Sequence, residues 1–495
     1  MRIINVAPLI PGRAAELAEV LLRLERDGGV TDVAFMMPLQ PETFPPAVKV
    51  ARFRDLFLEM RQALSASRLR TGILLQTLIG CGDHGQNMPE PVFRRIITLE
   101  GKESNRTCPL DRALQDYVRQ TLATLAGAGA RFFIVDDSTR LFAWNAIGCF
   151  CPDHLSALNR LVGRPLSAGE LAETLKRDDP AARRIGEAWD RVLLDSLLDL
   201  ARAVRGGIDS VDPAIPCGYN CSVSEIAYAE PIALALAGQT RPFVRVNSSY
   251  YQEGGYKPFP RVMCQTAMQA AYLPRIPEIL AEADTWPQHR YSESARTLHG
   301  QIAASLLNGV TDVLLWITRM HDFEPECGRE YRRMLQAHRG FYREFTRLLP
   351  RVSWREPSSP FPAVPASSWN PLAENKQVRA ATWAGDLLGR LGIPCRFGGA
   401  SSVAMLTGQE TGFFSDAELR RLLAGGLLLD GAAAEQFCRR GLSEHLGVEA
   451  EETRMRVSYE RLADDPLLNG GAAEREFRFG TARSRFGGWR RRTNG

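Results

Sequence analysis

No stretch of this 495-residue sequence is apolar for long enough to cross a membrane. The N-terminus, MRIINVAPLIPGRAAELAEV, lacks the long apolar core of a secretory signal and reads as a strand followed by an amphipathic helix. Excess charge is scarce too. The 61 Lys and Arg against 57 Asp and Glu leave a net charge of +4, too little to argue for nucleic acid. Ten cysteines lie scattered along the chain without an export signal, which suits a reducing cytoplasm. The expectation is a cytoplasmic protein that binds neither nucleic acid nor membrane.

What is present is a long alternation of strand-like and helix-like segments. Candidate strands are Arg2–Ala7, Val30–Met37, Gly72–Leu78, Phe132–Asp137, Ile215–Tyr219, Phe243–Asn247, Glu278–Ala283 and Thr311–Ile317. Helical patterns fall between most of them, at Ala14–Arg26, Phe53–Ser65, Asp111–Ala126, Ala188–Val204 and Ser292–Leu307. Eight strands alternating with helices predict an α/β fold, a (β/α)8 TIM barrel over residues 1–349. A doubly wound open sheet is the second choice. Residues 350–371, rich in proline and serine, read as a linker. Residues 372–477 then read as a small, incomplete-looking α/β domain. Its helices are Ala380–Leu391, Ser415–Ala424 and Ala432–Arg440, and its short strands Pro394–Phe397 and Gly426–Asp430. Residues 478–495, basic and without an apolar pattern, read as a disordered tail.

The chemistry gathers at the predicted strand ends, where barrel enzymes carry their sites. The fourth strand ends on Asp136 and Asp137, and Arg140 and Trp144 follow in its loop. The seventh strand carries Glu282 and Asp284, which by period-two alternation face the same way, with Trp286 beside them. Two carboxylates on opposite strands of a barrel are what glycosidic cleavage requires: one protonates the leaving oxygen, the other attacks or activates water. The plainer alternative pairs the seventh-strand acids with Arg290 or Arg296. Trp144, Trp286 and Trp316 offer flat faces to sugar rings, although each alone is equally a core residue.

Three further loops suit a polar substrate, or equally a solvated surface. After the third strand, Gly80, Gly82 and Gly85 spell G-x-G-x-x-G, but Pro89 and Pro91 stand where a phosphate-binding helix would begin. A loop presenting Asp83 and His84 is the better reading. Asn247 and Tyr250 follow the sixth strand, and Trp316 and His321 follow the eighth. Cys149-x-Cys151-x-x-His154, together with Cys108 ahead of the fourth strand, has the composition of a closed, structural zinc site.

These features resemble glycoside hydrolase family 42, the β-galactosidases. In that family a cysteine before the fourth strand and a Cys-x-Cys-x-x-Cys after it bind structural zinc. Here Cys108, Cys149 and Cys151 match, with His154 in the fourth place. The resemblance implies a retaining glycosidase acting on a β-linked sugar, with Glu282 as nucleophile and no cofactor for catalysis. It also implies a second domain of amidotransferase-like fold that makes a homotrimer. The sequence departs from the family at the fourth strand, where Ser138 stands in place of the acid glutamate. Asp137, or Asp136, is then the candidate acid/base. The alternative is a carbohydrate-binding or scaffold relative that lost turnover with that glutamate.

Overall fold

A computed structural model describes residues 1–39, 45–80, 92–136, 141, 148–177, 179–222, 225–248, 250, 259–286, 288–289, 292–319, 323–351, 357–360, 383–389, 391–399, 401–412, 414–452, 459–461, 475–478 and 487–491. The chain divides into two compact units. The first comprises Met1–Trp354, Ala366–Ala380 and Ala384–Ile393; the second comprises Arg355–Pro365, Ala381–Trp383 and Pro394–Gly495.

The first unit is a closed barrel of parallel strands: Ile3–Ala7, Asp32–Pro38, Arg70–Gln76, Phe133–Val135, Cys217–Asn220, Phe243–Val246, Glu278–Asp284 and Asp312–Trp316. Each neighbours the next, and the last pairs with the first through Ile3 and Val313. These are the eight strands the apolar runs predict, shifted at their ends by a residue or two. Helices surround them, several started by side-chain caps. Asp111 accepts from Ala113 N, Asp179 from Ala181 N and Ala182 N, and Ser294 from Thr297 N.

Alternation along the strands fills the barrel in layers. At the bottom, Arg2 pairs with Asp32 at 3.1 Å and with Glu278 at 3.5 Å, and its guanidinium lies over the rings of Phe132 and Phe243. Above it Ile4, Leu74, Ile134, Leu280 and Leu314 pack with those rings. Two strands carry glycine where the rings lie. A Cβ on Gly72 would sit 2.6 Å from the Phe132 ring, and one on Gly218 would sit 2.1 Å from that of Phe243. At the C-terminal ends of the fourth to seventh strands the next inward positions, Asp136, Asn220, Arg245 and Glu282, are polar.

Elements without a clear periodic signal also shape this end. A hairpin, Arg95–Ile97 with Glu103–Thr107, follows the third strand and ties back to the segment just after it through Thr107 N and Ile79 O. Helices Pro152–Val162 and Ala168–Leu175 follow the fourth strand. Helix Ile226–Ala237 carries Pro231 inside it, which masks it in a pattern reading.

The second unit holds a parallel sheet in the order Arg396–Phe397, Ser358–Ser359, Val403–Leu406, Gly426–Leu429. Helices Asp416–Leu422 and Gly431–Arg439 belong to it, and Leu406, Phe414, Leu419, Phe437 and Leu442 form its core. Ser358 and Ser359, inside the stretch expected as a linker, form one of these strands; most of that linker lies outside the described residues. The helix expected over Ala380–Leu391 is a single wide turn, Trp383–Leu388. The tail also differs from expectation. Gly487–Arg491 pairs antiparallel with Val448–Glu452, a register that sets Arg490 opposite Glu449. The pairing joins segments far apart in sequence, which local sequence does not reveal.

Candidate active site and metal centre

The fourth, sixth and seventh strands meet at the mouth through one buried arginine. Asp136 follows Val135 and keeps the inward parity of Phe132 and Ile134. Asn220 ends the fifth strand, Arg245 lies on the sixth and Glu282 on the seventh. Arg245 donates from Nη2 to Asp136 Oδ1 at 3.0 Å, and its Nη1 lies 3.2 Å from Glu282 Oε2. Asn220 Nδ2 also donates to Asp136 Oδ1, at 2.9 Å, and Asn247 Nδ2 donates to Glu282 Oε2 at 2.8 Å. Asp136, Glu282 and Arg245 are all at most 5% exposed. Burying two carboxylates is tolerated here because a single guanidinium offers a separate nitrogen to each. Among the described residues Arg245 is an arginine paired with Glu282; Arg290, one of the two partners expected for the seventh-strand acids, lies outside the described residues.

The backbone under Glu282 is fixed as well. Ser248 Oγ donates to Glu282 O at 3.1 Å, and Gln301 Nε2 donates to the same oxygen at 2.9 Å. Gln269 holds Asn247 by accepting from its N at 3.0 Å and donating to its O at 2.8 Å. The two carboxamide side chains come from the helices that follow the sixth and seventh strands, so the packed scaffold sets the orientation of the mouth.

Two residues beyond Glu282, Asp284 faces the same way and is buried. Burial pushes its carboxyl well above the ordinary range, and the neighbouring Glu282 charge adds to the effect. Gln288 Nε2 donates to Asp284 Oδ1 at 2.8 Å. Gln288 itself adopts φ 57°, a left-handed conformation rare for a residue with a Cβ, and its carbonyl accepts from the Cys327 thiol at 2.7 Å.

Trp316 is buried in the barrel, in register with Asp284, while Trp286 is 42% exposed. Tyr250 packs edge-on to Phe259. Trp316 Nε1, Asn220 Oδ1 and Gln288 Oε1 are buried without a hydrogen-bond partner among the described residues. Asp83, His84, Asp137, Arg140, Trp144 and His321 lie outside the described residues. Sequence reasoning missed Arg245, Asn220 and Gln288. For Arg245 a signal existed: in Phe-Val-Arg-Val-Asn an arginine occupies the inward parity of a strand that must be buried on both faces.

Cys108, Cys149, Cys151 and His154 converge beside the barrel, all buried, with their donor atoms within 4.8 Å of one another. Cys108 Sγ lies 3.7 Å from Cys149 Sγ and 3.9 Å from Cys151 Sγ, and His154 Nδ1 lies 3.2 Å from Cys151 Sγ. Four ligands tetrahedral about a zinc with bonds of about 2.3 Å have sulfur–sulfur edges of roughly 3.8 Å, so this set fits the ion. Hydrogen bonds with Cys108 and Cys149 hold the Cys151 thiol far below its usual range. Arg94 adds positive charge, with Nη2 at 3.9 Å from Cys108 Sγ, and pairs with Asp153. The cluster joins the end of the hairpin to the start of helix Pro152–Val162. It therefore anchors the far end of the loop that leaves the fourth strand.

No protein-family model and no curated protein matches the sequence. In fold the chain is similar to several solved structures. A β-galactosidase from the haloarchaeon Halorubrum lacusprofundi superposes with TM-score 0.54 and 14% identity, over 93% of this chain and 79% of that one. The exo-β-1,4-mannosidase Op5Man5 from Opitutaceae bacterium strain TAV5 gives TM-score 0.54 and 13% identity, over 99% and 86%. A β-galactosidase from Bacillus circulans sp. alkalophilus gives TM-score 0.53 and 11% identity, over 94% and 76%. At such identities the likeness is one of fold.

Proposed function

We propose that the protein is a glycoside hydrolase of the family 42 type, cleaving a β-linked sugar with retention of configuration. The observation that carries this reading is Glu282: a buried carboxylate ending the seventh strand, fixed by Asn247 at 2.8 Å and Arg245 at 3.2 Å. Such partners keep a carboxylate ionised and aimed, as a nucleophile must be. Glu282 attacks the anomeric carbon while an acid protonates the leaving oxygen, and water then opens the glycosyl ester. Asp137 is the donor the sequence offers, since Asp136 is engaged with Arg245. Trp316 Nε1 and Asn220 Oδ1, without a partner among the described residues, suit a hydroxyl-rich ligand that completes them.

Under the same proposal the cysteine–histidine cluster holds one structural zinc. Its four positions are filled by protein, so the ion supports the loop and offers no open site for water. The second unit takes the assembly role of the family's second domain, giving a homotrimer. A panel of aryl β-glycosides, galactosides and mannosides among them, tests the function. Turnover that Glu282→Ala abolishes supports it; saturable sugar binding without turnover points to the carbohydrate-binding alternative.

A further inference from the structure

We infer that Gln269 is a positioning residue for the nucleophile, acting through Asn247, a role that rests on the glycosidase reading of Glu282. The sixth strand leaves the barrel ladder early. Its register with the seventh runs from Phe243 opposite Glu278 to Val246 opposite Ala281, one residue short of the level of Glu282. Asn247 comes next, with the inward parity of Phe243 and Arg245. Strand pairing with the seventh strand no longer fixes its peptide there.

Gln269 takes over from the ladder. It lies on helix Phe259–Ala271 and is fully buried. Its Oε1 accepts from Asn247 N at 3.0 Å, while its Nε2 donates to Asn247 O at 2.8 Å and to Gln265 O at 3.0 Å. The acceptor oxygen and both amide hydrogens of the carboxamide are thus engaged. Exchanging two bonds with one residue is what a close pair in an antiparallel ladder does, so both the place and the rotation of the Asn247 peptide are set. A residue present for packing alone would be apolar, like Val262, Met263 and Met268 on the same buried face. Burying a carboxamide there costs free energy unless it is satisfied, and Asn247 is what satisfies it.

What Gln269 fixes bears directly on Glu282. Asn247 Nδ2 donates to Glu282 Oε2 at 2.8 Å. That bond favours the charged form of the carboxylate and aims it, and it weakens steeply if a turned peptide swings the amide away. Gln301, fully buried on helix Ala295–Leu307, does the matching work on the main chain. Its Nε2 donates to Ser248 O at 2.6 Å and to Glu282 O at 2.9 Å. Glutamines from the helices after the sixth and seventh strands therefore replace strand pairing at the level of the nucleophile. The charged groups around Glu282 among the described residues are Arg245, Asp136 and Asp284, and a change at Gln269 leaves all three in place.

The test is a double-mutant cycle on the aryl β-glycoside that the wild type cleaves fastest. It uses Gln269→Met, Asn247→Ala and the two together, with Thr266→Val as the packing control on the same helix. Methionine keeps the length of Gln269 and loses both bonds to Asn247. Thr266 is equally buried, and its hydroxyl donates within its own helix, to Val262 O at 3.0 Å. Gln269→Met is expected to lose about 10- to 100-fold in kcat/KM, with the acid limb of the pH profile moved to higher pH. In the Asn247→Ala background it should cost little more, because the two residues act as one unit. Gln269→Glu, which keeps the length and an oxygen for Asn247 N, should fall between wild type and Gln269→Met, and Thr266→Val should stay within a few fold of wild type. Gln269→Met equal to wild type, or losses that multiply in the double variant, overturn the positioning role; with Glu282→Ala inactive the glycosidase reading still stands. Thr266→Val falling as far as Gln269→Met overturns it too, since packing then explains the loss. If Gln269→Met does not fold, Gln269→Glu takes its place in the cycle and the same outcomes decide. A wild type that cleaves none of the aryl β-glycosides overturns the role together with the reading beneath it.

Discussion

Arg245 and Glu282 meet across adjacent barrel strands, Nη1 to Oε2 at 3.2 Å, and the same guanidinium binds Asp136 through Nη2 at 3.0 Å. The polar layer of the mouth is organised by this cation. Lysine cannot reproduce it, because an ammonium is one point charge and the guanidinium a planar fork.

Replacing Arg245 by methionine removes the countercharge from two buried carboxylates at once. Breaking a buried pair in this way costs about 3–5 kcal/mol, so a clear fall in thermal midpoint is expected. Glu282 then ionises only at higher pH, and the acid limb of kcat/KM should move upward. Arg245→Lys should fall between the two. An Arg245→Met protein with the wild-type pH profile would detach Arg245 from Glu282's function.

Glu282→Ala should abolish hydrolysis while the fold stays intact. Its backbone is held independently of the side chain by Ser248 and Gln301. Azide should restore part of the turnover with inverted configuration, because a small anion fills the vacated space. Undiminished activity in Glu282→Ala would remove it from the mechanism.

Most of the barrel is legible in the sequence because its strands are buried on both faces and read as short apolar runs between helices. Parity along those runs also brings Asp136, Glu282 and Asp284 to one end of the barrel, and spacing brings the cysteines near His154. Arg245 escaped because its role is a contact between strands far apart in sequence. Gln288 escaped for a different reason: it joins the site through a backbone conformation and one hydrogen bond, neither of which composition encodes. The hairpin at Arg95–Thr107 is short and polar, so no periodic signal announces it. In the second unit, strands of two to four residues are too brief for alternation to establish a pattern.

The cysteine–histidine cluster predicts stoichiometric zinc. Elemental analysis should find one ion per chain, with sulfur distances of about 2.3 Å by X-ray absorption. Cys149→Ser or Cys151→Ser should lower the thermal midpoint more than it alters kcat, since the ion anchors the loop and takes no part in the chemistry. A protein purified under reducing, metal-replete conditions with no bound metal would end this assignment.

The last prediction concerns stability against pH, away from the mouth. Asp190, on helix Pro180–Asp209, accepts a hydrogen bond from the Tyr228 hydroxyl on helix Ile226–Ala237. Burial between these helices pushes its carboxyl up to about 7. An unfolded aspartate ionises near its ordinary value of about 3.9. Below that value both states carry the proton, and Asp190's contribution to stability is fully present. As pH rises toward 7 the unfolded chain loses the proton while the folded one keeps it, so stability falls. Above the folded value both states are ionised and the loss levels off. The full swing is on the order of a few kcal/mol, reduced by partial exposure to solvent. Asp190→Asn retains an acceptor for Tyr228 and has no proton to lose. Its urea midpoint should therefore change less between about pH 5 and about pH 8 than that of the wild type. Parallel midpoints for the two proteins across that range would show that Asp190 ionises normally in the fold.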